Sequence, residues 1–200
     1  MNDSNVRKAK FIKFLNFLTP QEHRNMLEWV RKYESAFESS KSSSKNEDRR
    51  RSLVMLVTAE AEDLIAQRIT PIVRFAAQKL SCSNLNLDKI EAQVTAHNDG
   101  NYYKLHNDNG MPPLDKRELT YVYYFNREPK AFSGGELLLY DEKIEGDRSL
   151  KADSFQLIEP TNNSIIFFYS RYWHQVLPVN CQNGNFADSR FTINGWIWRD

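Results

Sequence analysis

The apolar positions of this chain change period along its length. In "PQEHRNMLEWVRKYESAF", Met26, Leu27, Val30 and Phe37 fall near one helical stripe. Thr19 can cap that helix, Pro20 suits its first turn and Glu22 completes a capping box, which predicts a helix over about residues 20–36. The short apolar segment "KFIKFLNF" precedes it. The serine-rich, charged stretch over residues 39–50 reads as a mobile surface loop, either a plain connection or a lid over a substrate. "SLVMLV" reads as a strand. Residues 59–80 are helix formers with apolar side chains at Leu64, Ile65, Ile69, Val73, Ala76 and Leu80, and Pro71 is expected to kink or divide that element. The period then becomes two: Ile90, Ala92, Val94 and Ala96 alternate with Glu91, Gln93, Thr95 and His97. Further strands are predicted at "ELTYVYYF", "GELLLY", "NSIIFFY" and "SRFTINGWIW", separated by turn-forming stretches. The pattern is mainly β with N-terminal helices that can cover the outside of a curved sheet. One domain over residues 1–200 is expected, with a largely helical support region at 1–88 and a β core at 89–200.

Composition narrows the function classes. The 27 basic and 26 acidic residues nearly cancel, so there is no electrostatic case for nucleic acid or an anionic membrane as a partner. No apolar run is long enough to cross a membrane. Cys82 and Cys181 are the only cysteines and make no disulfide framework, and "MNDSNVRKAKF" lacks the apolar core of a signal peptide; a cytoplasmic setting is the expectation.

The chemistry centres on "YYKLHND". If this segment is extended, His106 and Asp108, two residues apart, point the same way. An imidazole and a carboxylate can then converge on iron, manganese or zinc. By itself the pair is a weak signal, because a lone histidine serves as readily in the core or on the surface. His174, in "SRYWHQVLP" after the apolar "SIIFFY", is the natural third ligand. Two histidines and one carboxylate form a facial triad that leaves coordination positions open on an octahedral metal. His23 is expected to face solvent from the first helix. His97 ends a strand and is placed either in the turn or at the pocket border. Trp173 and Trp198 read as packing groups.

Taken in order, "YYKLHND", "TYVYYFN", "SGGELLLYD", "SIIFFYSRYWHQVLPV" and "SRFTINGWIW" resemble the iron- and 2-oxoglutarate-dependent oxygenases of the prolyl 4-hydroxylase type. The resemblance implies a double-stranded β-helix, a jelly roll of the cupin kind. It implies Fe(II), 2-oxoglutarate and O2, and it allows ascorbate as a reductant. Residue by residue, His106, Asp108 and His174 match the iron ligands. Arg190, sixteen residues beyond His174, matches the base that binds the distal carboxylate of 2-oxoglutarate, and Tyr124 a tyrosine that reaches the same carboxylate. Trp196 matches an aromatic on the distal histidine's side of the pocket. Relatives often carry a tyrosine upstream where this chain has Ala96, with His97 beside it; Tyr102 and Tyr103 could fill part of that space. Asp108 is a carboxylate, which argues against a halogenase.

The implied activity is a hydroxylase that releases succinate and carbon dioxide. A prolyl residue in a peptide or protein is the first substrate expectation, and a free amino acid or small metabolite the alternative. A non-catalytic metal-binding β-barrel module and a zinc or manganese enzyme working without 2-oxoglutarate are the rivals. The second would leave Arg190 and the late "RFTINGW" motif unexplained.

Overall fold

The computed structural model describes residues 5–40, 49–83, 85–146 and 148–200. In chain order come β1 (Val6–Arg7), β2 (Phe11–Leu15), α1 (Pro20–Lys32), β3 (Glu38–Ser39), β4 (Arg50–Arg51), β5 (Leu53–Leu56), α2 (Ala59–Leu80) and β6 (Leu85–His97). They are followed by β7 (Tyr102–His106), β8 (Arg117–Phe125), β9 (Ser133–Gly134), β10 (Leu137–Glu145), β11 (Arg148–Ile158), β12 (Ser164–Tyr169), β13 (His174–Val176), β14 (Val179–Asn180) and β15 (Arg190–Arg199). A seven-stranded major sheet runs β2-β12-β8-β15-β6-β5-β3, and a six-stranded minor sheet runs β1-β10-β13-β7-β4 with β11 also on β10. From β6 onward the chain passes back and forth between the sheets, with the β10–β11 hairpin kept in the minor sheet and β9 and β14 forming a separate two-stranded pair, and every pairing is antiparallel. That alternation winds the expected double-stranded β-helix.

Period two decides what each face of the major sheet does. In β8, Leu119, Tyr121, Tyr123 and Phe125 point to one face and are fully buried, while Thr120, Val122 and Tyr124 point to the other. The first face joins the helices in one apolar core with Ile65, Ile69, Val73, Ala76 and Leu80 of α2 and Met26 and Val30 of α1. Each such side chain contributes about 1.5–3 kcal/mol on burial. Phe14 of β2 sits edge-on to Phe75 of α2 at 6.1 Å, and the Tyr169 hydroxyl donates to the Leu80 carbonyl at the end of α2. The second face of β8 lines a cavity between the sheets.

Local chemistry sets the helix ends. Thr19 Oγ1 accepts from the Glu22 amide while the Glu22 carboxylate accepts from the Thr19 amide, so the predicted capping box is formed. Of the two effects expected of Pro71, division does not occur: α2 runs through it as one helix. Proline removes one backbone donor, and burial of Ile69 and Val73 on either side holds the helix together, with the Thr70 hydroxyl donating to the Ala66 carbonyl. His23 is also not free in solvent: Nε2 is hydrogen-bonded to Asn162 Oδ1 at 2.9 Å. The expected loop is shorter at both ends, because Ser39 and Arg50 lie in strands; residues 41–48, where a lid would sit, are outside the described residues. Strand β6 begins at Leu85, upstream of the alternating segment, drawn out by pairing with the end of β15. Strand β11 had no counterpart in the sequence reading.

Gly195 lies opposite Tyr121 in the β8–β15 ladder, and the Tyr121 hydroxyl crosses it to donate to the Glu91 carbonyl. A Cβ at Gly195 would lie 2.2 Å from that hydroxyl oxygen and 2.1 Å from the Glu91 carbonyl oxygen. Gly195→Ala is therefore expected to destabilise the protein more than Thr19→Ala, whose lost cap costs about 1 kcal/mol. Urea unfolding of both variants checks the order.

Candidate metal centre and carboxylate pocket

Strand pairing brings the metal-ligand residue types together. His106 ends β7, His174 begins β13, and the two are direct cross-strand partners. Asp108 follows β7, and its amide donates to the Ser170 carbonyl. The ligand-type atoms of His106, Asp108 and His174 all lie within 4.8 Å of one another. Asp108 Oδ1 is 3.7 Å from His106 Nε2, and Oδ2 is 3.6 Å from His174 Nε2.

Neighbouring groups fix how these atoms present themselves. His106 Nδ1 lies 2.8 Å from the Lys104 carbonyl and His174 Nδ1 lies 2.9 Å from the Tyr172 carbonyl. A carbonyl can only accept, so each Nδ1 carries the proton and each Nε2 turns a lone pair toward Asp108. Burial and then the neighbouring His174 push the His106 imidazole down to about 3, so it stays neutral. Burial pushes the Asp108 carboxyl up, but His174 and His106, then Thr120 and Trp196, outweigh it and hold it below its usual range. Thr120 Oγ1 donates its one proton to Asp108 Oδ2 at 2.7 Å, so the contact at 3.0 Å between Thr120 and Ser170 requires the Ser170 hydroxyl to donate. Two imidazole Nε2 atoms and a carboxylate oxygen on one point suit a divalent cation such as Fe(II).

The second half of the cavity comes from the major sheet. Arg190 begins β15, directly opposite His97 at the end of β6. Its guanidinium is buried, donates from Nη1 to His97 Nδ1 at 3.4 Å and lies 5.1 Å from the centre of the Tyr124 ring. With Nδ1 accepting, His97 carries its proton on Nε2. Three polar atoms here are buried with no hydrogen-bond partner: Arg190 Nε, His97 Nε2 and Tyr124 Oη. All three can donate, and their residues line a cavity of about 380 Å3 that also holds the triad. Such a set fits a carboxylate. The "SGG" turn serves this corner: Gly135 has φ +73°, and a Cβ there would lie 2.6 Å from Arg190 Cδ.

His97, Tyr103, His106, Asp108, Tyr124, His174, Arg190 and Trp196 all line this cavity, whereas Tyr102 does not. Tyr103 stacks on His106 with centroids 3.5 Å apart and planes 16° apart. Trp196 borders Asp108 and lies beneath the Arg117 guanidinium at 3.6 Å. Tyr121 and Tyr123 face the core, opposite Tyr124, as strand parity requires. Ala96 is buried against Leu53 and Phe191 in the major sheet, and His97 supplies the polar atom at that end. The sequence reading did not find Thr120, Arg49 or Arg50. Thr120 was within reach, since it shares the face of Tyr124. The arginines were hidden in a charged run.

His97 is held neutral, well below its ordinary range, by burial and then by the charges of Arg190 and Arg50. As pH falls below about 6.5 the unfolded chain takes up a proton at this position that the folded chain refuses, so the fold loses stability. His97→Gln is expected to make that loss shallower. Urea midpoints between about pH 8 and pH 5 measure it, and parallel slopes for the two proteins would exclude His97 as a source.

Comparison with known proteins matches this geometry. Residues 92–198 match the model of the 2OG-Fe(II) oxygenase superfamily. An uncharacterized PKHD-type hydroxylase of Synechocystis sp. is 44% identical over 184 residues, covering 91% of this chain; the chain spans 61% of that protein's length. A Pseudomonas putida prolyl-4-hydroxylase superposes with a TM-score of 0.70 at 21% identity over 96% of this chain and 94% of the other. A Trichoplax adhaerens prolyl hydroxylase, solved with a peptide of the hypoxia inducible factor oxygen degradation domain, gives 0.69 at 21% identity over 94% and 83%. The epimerase SnoN of nogalamycin biosynthesis gives 0.66 at 12% over 96% and 80%. At these identities the likeness to the solved structures is one of fold. The superfamily match, by contrast, runs through more than half of the 200 residues and across every strand that carries the triad, and on that ground the chain belongs to the 2OG-Fe(II) oxygenase superfamily.

Proposed function

We propose that this protein is an Fe(II)- and 2-oxoglutarate-dependent hydroxylase acting on a prolyl residue of a peptide or protein. One observation carries the reading: a His–Asp–His cluster shares its cavity with buried, unpartnered donors on Arg190, His97 and Tyr124. A metal enzyme without a dicarboxylate co-substrate has no use for the second set. The PKHD-type hydroxylase and the prolyl hydroxylases among the similar proteins support the substrate class. The free cysteines, Cys82 and Cys181, suit a reducing, cytoplasmic setting.

In this reading His106 Nε2, Asp108 and His174 Nε2 hold Fe(II), and Arg190, Tyr124 and His97 hold the far carboxylate of 2-oxoglutarate. When bound, the metal and its co-substrate supply oxidation of a C–H bond by dioxygen, coupled to decarboxylation to succinate and carbon dioxide. The chain supplies position and field. The Lys104 and Tyr172 carbonyls keep both imidazoles in the ligating tautomer. Thr120 holds the carboxylate of Asp108. Arg190 offers a charged planar fork where a buried dicarboxylate needs its remote end neutralised. Val122, Leu137 and Val176 line the cavity with apolar surface that excludes water.

His174→Ala is expected to abolish the visible band formed anaerobically by Fe(II) and 2-oxoglutarate. Arg190→Ala is expected to weaken 2-oxoglutarate by roughly 2–5 kcal/mol while Fe(II) binding persists, and Tyr124→Phe by less. Equal 2-oxoglutarate affinity in Arg190→Ala would defeat the clamp assignment. For the substrate, the iron-loaded protein is incubated with 2-oxoglutarate and, separately, peptide libraries and free amino acids, with succinate and added oxygen followed together. Oxygen on peptidyl proline, absent with His174→Ala, is the expected result. Turnover of a free amino acid with no modified peptide would move the enzyme to small-molecule metabolism.

A further inference from the structure

A second arginine faces the cavity. Arg50 lies in β4, directly opposite Tyr103 of β7, at the edge of the minor sheet. Its guanidinium lies over the Tyr103 ring at 4.9 Å, and that ring in turn stacks on His106. Its Nε donates to Ser52 Oγ at 2.9 Å and one Nη2 hydrogen to Thr95 Oγ1 at 3.2 Å. Ser52 and Thr95 are buried and neutral, and Thr95 also accepts from Asn194, another lining residue. The side chain is therefore held in place and aimed, with three of its five N–H groups still to spend. No described carboxylate is in ion-pair contact with it, whereas Arg117, the neighbouring cation of the cavity, is paired with Glu91.

A charge count across the cavity gives this arginine a task. Among the described residues Asp108 is the only acidic one in the lining, against Arg49, Arg50, Arg117 and Arg190. With Fe(II) on Asp108 one positive charge remains; Arg117 is neutralised by Glu91 and Arg49 is exposed to solvent, so the buried count gains one charge each from Arg190 and Arg50. A bound 2-oxoglutarate removes two. One positive charge is left on the Arg50 side of the metal, and an apolar rim made by the exposed Met111 and Leu114 stands at the same cavity. We propose that Arg50 anchors a carboxylate of the prime substrate, so that the hydroxylated residue sits next to an acidic group. This rests on the hydroxylase reading and narrows its substrate class. The carboxylate has two sources: an acidic side chain beside proline in a peptide, or the α-carboxylate of a free or C-terminal residue.

The test measures binding to the Fe(II)- and 2-oxoglutarate-loaded protein without oxygen, by calorimetry. Blocked Gly-Pro-Asp and Gly-Pro-Asn peptides form one pair of probes, and L-proline and L-prolinamide the other. In at least one pair the carboxylate member is expected to bind about ten- to hundredfold tighter, the range of a charge-assisted contact. Arg50→Gln is expected to erase that ratio, and Arg50→Lys, which keeps the charge and loses the fork, to keep part of it. The affinity for 2-oxoglutarate, held at Arg190, reports that each variant is folded. Arg50→Glu is expected to favour a Gly-Pro-Lys peptide over Gly-Pro-Asp. Peptides that bind with no preference for charge would overturn the role of Arg50 and leave the prolyl hydroxylase reading standing. Discrimination of proline from prolinamide with no peptide binding would uphold Arg50 and remove the peptide substrate. A ratio that survives in Arg50→Gln, or no binding of either carboxylate probe, would overturn the proposal.

Discussion

Two backbone carbonyls decide what this cavity can be. Lys104 and Tyr172 each stand two residues before a histidine and each accept from its Nδ1. Those two bonds put a proton on each Nδ1 and turn both Nε2 atoms inward, toward Asp108. The pairing of β7 with β13 then sets His106 against His174, and Asp108 closes the set through Thr120 of the other sheet. Were either ring to turn, Asp108 would be a buried carboxylate facing an N–H where a ligand atom should be. Everything else in the cavity is arranged around a point that these bonds define.

The two sheets divide the work. The minor sheet brings His106, His174 and Arg50; the major sheet brings Thr120, Tyr124, His97 and Arg190. Placement of the second group depends on the helical half of the molecule, because the far face of the same strands is the apolar core with α1 and α2. Tyr121 and Tyr124 show the coupling within a single strand: one spans Gly195 to bond the Glu91 carbonyl in the core layer, the other faces Arg190. Glycine at 195 and at 135 is a steric requirement in both layers, made by a tyrosine in one and an arginine in the other.

The site was largely legible in the sequence, and what was missed has a common cause. Strands β8, β12 and β15 each bury an alternating set, so their period is clear, and the triad follows from an extended pair plus a histidine after an apolar strand. Strand β11 was missed because it is an edge strand in which Leu150, Phe155 and Leu157 remain exposed, so neither face reads as a core face. Arg50 was missed because "DRRR" reads as solvated charge; only pairing with Tyr102 and Tyr103, about fifty residues away, carries it to the cavity. Pro71 does not divide α2, since local propensity yielded to burial on both sides of it. Contacts distant in sequence are those that a periodicity cannot show.

The triad histidines and the unpartnered donors sit on different sheets, which ties the cofactor to the life of the protein as well as to its chemistry. On the proposed reading, a dicarboxylate gripped by Arg190 at one end and by a metal on the two histidines at the other would act as a rivet through the β-helix. It binds the folded chain and has no such site on the unfolded one, so a hundredfold excess over its dissociation constant adds about 2.7 kcal/mol of stability. A shift of that size alters how often the chain opens to proteases. Cellular 2-oxoglutarate and iron would then set the abundance of this protein along with its rate, and starvation for either would shorten its survival.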